Sequence, residues 1–226
     1  MENKIKIKNM SFKQVEKLKL VRNGDIGANG KVYKLNSKEC LKIFEYYKDI
    51  YDEKKFMEFT QYNLETAELP KTLVRILGIF SGYISNYVDG PMLCECGDYD
   101  FSRLLVLYSD FIKKAYSEVS ELNLIVQDTG STNIMLDKST NTFKMIDSDF
   151  WVKPNNKKIN DIRRINFNNL NASFGRYVCF MFDKYIDINT DYVDFYESYR
   201  DDIEKKHNVK IKTINDMRNV RLKGML

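Results

Sequence analysis

The sequence predicts an α+β protein, with strands early in the chain and helices later. Three observations carry that reading. Between Val21 and Ile84, short runs of β-branched and aromatic residues are separated by Gly- and Asn-rich turns. From Phe101 to Leu122, apolar residues recur at helical spacing instead, and Phe167 to Tyr185 and Tyr192 to Lys206 are further helix candidates. Between the two regimes stands Asp89-Gly90-Pro91, punctuation that suggests a break between lobes.

Composition narrows the function classes. The chain has 226 residues, 43% of them hydrophobic and 30% charged, a soluble globular profile long enough for one large domain or two small lobes. Lys and Arg number 36 against 32 Asp and Glu, and the small excess is spread along the chain. It argues for neither a nucleic acid nor a membrane surface as partner. The early lysines (Lys4, Lys6, Lys8, Lys13, Lys17, Lys19) read as a solvated face. Cys40, Cys94, Cys96 and Cys179 read as reduced thiols, because Cys94-Glu95-Cys96 lacks zinc-knuckle spacing and has no second pair. With no secretory h-region and no apolar run of membrane-span length, the expected compartment is the cytoplasm. His207 is the sole histidine and lies in a charged run, which sets aside Ser–His and Cys–His catalysis.

Taken in order, residues 3 to 20 read as a leading helix or strand. Three glycines spaced three apart (Gly24, Gly27, Gly30) follow, between extended segments. Glycine lets backbone N–H groups approach phosphate oxygens, and Asn29-Gly30 is equally a good hairpin turn. Lys31-Val32 after Gly30 excludes a Walker A loop, and the strand that follows disfavours a dinucleotide fingerprint. After a turn at Asn36 to Glu39, Cys40 to Phe44 alternates as a strand, with Cys40, Lys42 and Phe44 on one face. A lysine between apolar neighbours there asks for a carboxylate or phosphate, although a solvent-facing lysine would read the same way. Tyr51 to Leu64 is helical by composition, with Glu53 and Glu58 its acidic candidates. Leu73 to Ile84 reads as two strands around Gly78 or Ser81-Gly82.

The densest chemistry lies between Leu124 and Phe150. An apolar run delivers Asp128, Asn133 follows five residues later, and a hairpin leads to Asp147. Hard oxygen ligands from Asn133 and Asp147 suit Mg2+, while Asp128 stands apart to orient or deprotonate a hydroxyl. Asp and Asn are also turn formers, so a plain polar loop fits these residues as well. Beyond Trp151, the Asn-rich stretch from Pro154 reads as irregular, and the later aromatic stripes read as core.

The order of these parts resembles the protein-kinase-like superfamily, over about Asn23 to Trp151. The family's Gly-rich loop corresponds to Asp25 to Val32, with Asp25 where the first glycine is expected. H-R-D-x-x-x-x-N is similar to Val126 to Asn133, and Asp147-Ser148-Asp149 stands in for D-F-G. The resemblance implies a two-lobed α+β fold. Residues 1–86 would form a small antiparallel-sheet N-lobe, and residues 87–226 a mostly helical, shortened C-lobe.

It further implies an ATP- and Mg2+-dependent phosphotransferase acting on a hydroxyl acceptor, with protein Ser/Thr first and an aminoglycoside- or choline-type small molecule as the alternative. Gly27, Ala28, Asn29, Gly30 and Val32 would cover the nucleotide. Lys42 would hold its phosphates, braced by Glu58 with Glu53 in reserve, and Asn86 and Val88 would line the adenine hinge. Asn133 and Asp147 would bind Mg2+ with possible help from Asp149, and Asp128 would be catalytic. Departures are specific: Val126-Gln127 replaces His-Arg, Gly130 stands where Ser/Thr protein kinases carry lysine, Asp149 replaces glycine, and no A-P-E follows. They motivate a competing reading as a pseudokinase that binds a protein partner. A weaker third reading, nucleic-acid binding through the basic N-terminus, rests on charge and aromatics alone.

Overall fold

The computed structural model describes residues 5–21, 29–45, 51–179 and 186–222. The chain is α+β and divides into two compact units, Met1–Val88 and Asp89–Leu226. The break lies two residues past the boundary expected at Asn86 and directly before Asp89-Gly90-Pro91.

The first unit is built on a six-stranded sheet in the order β1-β5-β6-β4-β3-β2. Its strands are β1 (Ile7–Met10), β2 (Lys19–Leu20), β3 (Gly30–Lys34), β4 (Glu39–Phe44), β5 (Thr72–Ile76) and β6 (Ile79–Asn86). The sheet is mixed rather than wholly antiparallel, because β1 runs parallel to β5. Residues 3 to 20 thus hold two strands around the short helix α1 (Phe12–Glu16), which Ser11 and Gln14 close with a capping box. Alternation identifies a strand but not its partner, so this pairing was not readable from the segment itself.

Both faces of the sheet are covered. On one, Leu41, Val74, Ile76 and Ile84 pack with Met10 and Val15. On the other, Phe44, Leu73 and Tyr83 pack with Tyr51 and with Phe56 of helix α2 (Glu53–Phe59). That helix is shorter than the Tyr51–Leu64 expected. Asp52 caps its start by accepting Lys54 N–H at 2.9 Å, and the Phe56/Phe59 stripe gives it only two turns to bury. The β5–β6 hairpin turns at Leu77-Gly78, both at positive φ (53° and 79°). Gly82 lies inside β6, where a Cβ would overlap the Lys42 carbonyl oxygen.

The second unit opens with the long helix α3 (Phe101–Glu121), capped by Asp100. Its buried stripe (Leu104, Tyr108, Phe111, Ala115, Val119) follows helical spacing. The hairpin β7 (Ile134–Asp137) and β8 (Thr142–Met145) follows, then helices α4 (Ile159–Phe174), α5 (Tyr192–His207) and α6 (Ile214–Leu222). An aromatic cluster of Tyr108, Phe143, Phe174, Tyr192 and Tyr196 forms the centre of this unit. Helix α4 starts eight residues before the expected Phe167 and runs on into a π-helical turn, Gly175–Cys179. The Asn-rich stretch looked irregular because Asn competes with helical backbone. In α4, three polar side chains, Asn166, Asn169 and Ser173, are spent on a neighbouring loop instead. Among the described residues, no helix is long and apolar enough to cross a membrane.

Candidate functional site

The expected catalytic residues of the second unit lie in one hydrogen-bonded knot. Asn133 Nδ2 donates to the Asp128 carbonyl at 2.8 Å, and the Asn133 carbonyl accepts Ile146 N–H at 3.0 Å. The first bond closes the loop on itself. The second ties it to the strand end that delivers Asp147. Asp147 Oδ1 in turn accepts the Asp149 N–H at 3.0 Å, which fixes one carboxylate oxygen against the backbone. With its side-chain nitrogen committed to Asp128 and its main-chain carbonyl to Ile146, the hard oxygen donor that Asn133 has to offer is its side-chain Oδ1.

Asp128 itself is exposed and has φ +54°, in the left-handed region. Asp tolerates that region better than most residues, yet the conformation costs about 1 kcal/mol and persists only where the surroundings enforce it. The enforcement comes from α4. Asn166 Oδ1 accepts Val126 N–H at 2.9 Å, and its Nδ2 donates to the Leu124 carbonyl at 2.8 Å and to Ser120 Oγ at 2.9 Å. Asn169 Nδ2 donates to the Val126 carbonyl at 2.7 Å. On the far side of Asp128, Thr129 Oγ1 donates to the Asn169 carbonyl at 2.8 Å, and Ser173 Oγ donates to the Thr129 carbonyl. Asn166, Asn169 and Ser173 are spaced three and four apart and therefore share one helix face.

Sequence reasoning missed these three residues. Their signal was present as polar residues at helical spacing within NFNNLNASF, an otherwise apolar face. The residues beside the knot are also informative. Ser148, between the two aspartates, is 1% exposed, and its hydroxyl has no hydrogen-bond partner among the described residues.

In the first unit, Lys42 sits in mid-β4, paired with Val32 of β3 and Tyr83 of β6, and is only 8% exposed. Strand alternation puts it on the face of Phe44, the face covered by α2. The two acidic candidates on that helix differ. Glu53 is held by Arg75, whose Nε and Nη2 both lie 2.9 Å from Oε1. Glu58 accepts the Tyr62 hydroxyl at 2.5 Å.

Of the expected nucleotide-covering residues, Gly27 and Ala28 lie outside the described residues. Asn29 is held through its carbonyl by the Tyr51 hydroxyl at 3.1 Å. Gly30 pairs with Phe44, and a Cβ there would overlap the Ile43 carbonyl oxygen, so sheet packing alone requires glycine. At the expected hinge, Asn86 Nδ2 donates to Glu68 at 2.6 Å and its Oδ1 accepts from Lys71 at 2.5 Å. Val88 is buried. Among the described residues, Cys40, Cys94 and Cys96 are free thiols, and no group of three or more His, Cys, Asp or Glu gathers to hold a metal ion.

Comparison with protein-family models finds none that matches the chain, and a search of curated proteins finds no significant match. The functional reading therefore stands on residues and geometry.

Proposed function

We propose that the protein is a phosphotransferase that moves the γ-phosphoryl group of ATP to a hydroxyl acceptor, with a protein serine or threonine the first candidate. One observation carries the reading. Asp128, Asn133 and the strand end leading to Asp147 are tied together through one residue, Asn133, whose side-chain nitrogen holds the Asp128 carbonyl and whose main-chain carbonyl holds Ile146 N–H, although nineteen positions separate the two aspartates. A polar loop formed only for turning needs no such convergence. A two-lobed protein-kinase-like fold, with a sheet-based first unit and a helical second one, belongs to the same proposal.

The donor set fits Mg2+. Asn133 offers an amide oxygen and Asp147 a carboxylate, both hard ligands, and this ion takes one or two carboxylates together with phosphate oxygens and water. A dedicated cluster of three acids is not required. When bound, Mg2+ neutralises charge that develops on the transferred group. Within this account Lys42 holds phosphate oxygens, with Glu58 as its brace because Glu53 is committed to Arg75. Asp128, exposed on a loop fixed from both sides, orients the acceptor hydroxyl and takes its proton.

The test is labelled-phosphate transfer from ATP with and without Mg2+, using the protein itself, a generic protein substrate and an aminoglycoside panel as acceptors. Mg2+-dependent labelling that disappears in Asp147→Ala supports the reading, and the labelled acceptor separates protein from small molecule. Absence of labelling, together with no thermal shift from Mg-ATP, removes it in favour of a partner-binding module.

A further inference from the structure

Arginine 218 stands out in the second unit. It lies on α6, whose start is fastened to the segment before α3. Asn215 N–H donates to the Gly97 carbonyl at 2.8 Å, Asn215 Nδ2 donates to Asp98 Oδ1 at 2.8 Å, and Phe101 N–H donates to the Lys212 carbonyl at 2.8 Å. One turn on, the Arg218 guanidinium lies over the Tyr177 ring, with Cζ 4.0 Å from its centre. Its polar partners are two neutral oxygens at long range, Asn215 Oδ1 at 3.4 Å and the Cys94 carbonyl at 3.5 Å. Among the described residues, no carboxylate is one of its partners. Glu95 Oε2 accepts the Met92 N–H instead, and Asp98 Oδ1 takes Asn215. Burial pushes the guanidinium below its usual range, so the charge is partly desolvated.

The group is also close to the Asp128 loop. Cys94 N–H donates to the carbonyl of Ser131, midway between Asp128 and Asn133, at 3.3 Å. The Tyr177 hydroxyl donates to the Cys94 carbonyl at 2.6 Å. Tyr177 sits on the π-helical turn that continues α4, a rare geometry that frequently marks functional positions. Exposed Arg176 on the same turn adds a second positive charge. Around Asp128 the loop is open: Gln127, Gly130 and Thr132 are exposed as well. An open surface suits an extended chain, whereas small molecules are usually enclosed.

We infer that Arg218, held flat by Tyr177 and fixed by the Asn215 turn, recognises a carboxylate on an acidic peptide presented beside the Asp128 loop. The planar fork of arginine matches a carboxylate in two parallel hydrogen bonds. The inference rests on the phosphotransferase reading for its link to an acceptor, and the peptide-binding step can be measured without turnover.

The experiment is an anisotropy titration of the full chain with a fluorescein-labelled peptide carrying one serine and flanking glutamates, against its glutamine counterpart. Wild type should bind the glutamate peptide about tenfold tighter, the worth of one good charge-assisted pair. Arg218→Gln should erase the preference, and Arg218→Lys should keep part of it. Equal affinities in wild type, or a preference that survives Arg218→Gln, would overturn the inference. If Arg218→Gln fails to fold, the wild-type pair of titrations and Arg218→Lys decide. Preference without phosphate transfer would remove the phosphotransferase alone. Transfer without preference would remove Arg218 alone.

Discussion

Asn166 bonds both directions of the chain that leads into Asp128: its oxygen takes the Val126 N–H at 2.9 Å and its nitrogen gives to the Leu124 carbonyl at 2.8 Å. It is fully buried at 0% exposure, so no water replaces these bonds when the side chain is shortened. Asn166→Ala should cost roughly 3 kcal/mol, the penalty for stranding buried backbone groups. Asn166→Asp keeps the acceptor but loses both donor bonds, and it should also destabilise. Urea denaturation reads both; an unchanged midpoint for the alanine variant would contradict this role.

Gly82 pairs with Ile43, next to Lys42 on β4, and has no room for a methyl group against the Lys42 carbonyl. Gly82→Ala should destabilise by roughly 2 kcal/mol, because two central strands must separate. Gly78→Ala, at positive φ in an open turn, should cost roughly 1 kcal/mol. Thermal denaturation of the pair tests the order.

Asp137 closes the β7–β8 hairpin by accepting the Ser139 N–H at 2.9 Å and the Ser139 hydroxyl at 2.7 Å. Burial alone would raise its pKa, but these bonds, with Thr140 and Lys144, outweigh it and hold the carboxyl below the ordinary aspartate range. A depressed folded pKa means stability that is present above the unfolded value and is lost as pH falls through the folded one. Asp137→Asn should therefore cost roughly 1 kcal/mol at neutral pH, and the gap to wild type should close in strong acid. A gap that widens on acidification would contradict the assignment.

Ser148 buries a hydroxyl with no partner among the described residues. Its removal relieves a desolvated polar group, so Ser148→Ala should raise stability by roughly 1 kcal/mol. A clear loss in calorimetry would mean that the hydroxyl has a partner in solution.

Candidate residues were easier to read from the sequence than the packing around them. Asp128, Asn133 and Asp147 were legible because oxygen ligands at loop and hairpin ends form a local pattern. Lys42 was legible because a lysine interrupts an apolar strand. The boundaries of α3 were legible too, expected over Phe101 to Leu122 from apolar residues at helical spacing and found at Phe101–Glu121. What stayed hidden depends on distant partners. The parallel β1–β5 pair joins residues 7–10 to residues 73–76, and no local periodicity encodes that. Helix α4 was partly hidden because its asparagines look like loop formers until the buried backbone that they serve is in place. The ion pair between Glu53 and Arg75 was hidden for the same reason, because its partners lie far apart in sequence.

The central claim is that Asp128 acts on the acceptor and Asp147 on the metal. The most direct measurement is paired: Mg-ATP affinity by calorimetry and phosphate transfer by label, for wild type and Asp128→Asn. The account expects Asp128→Asn to keep its affinity within about twofold and to lose transfer by roughly a hundredfold or more, the usual worth of a general base. Loss of Mg-ATP binding in a folded Asp128→Asn variant, or transfer at the wild-type rate, would contradict it.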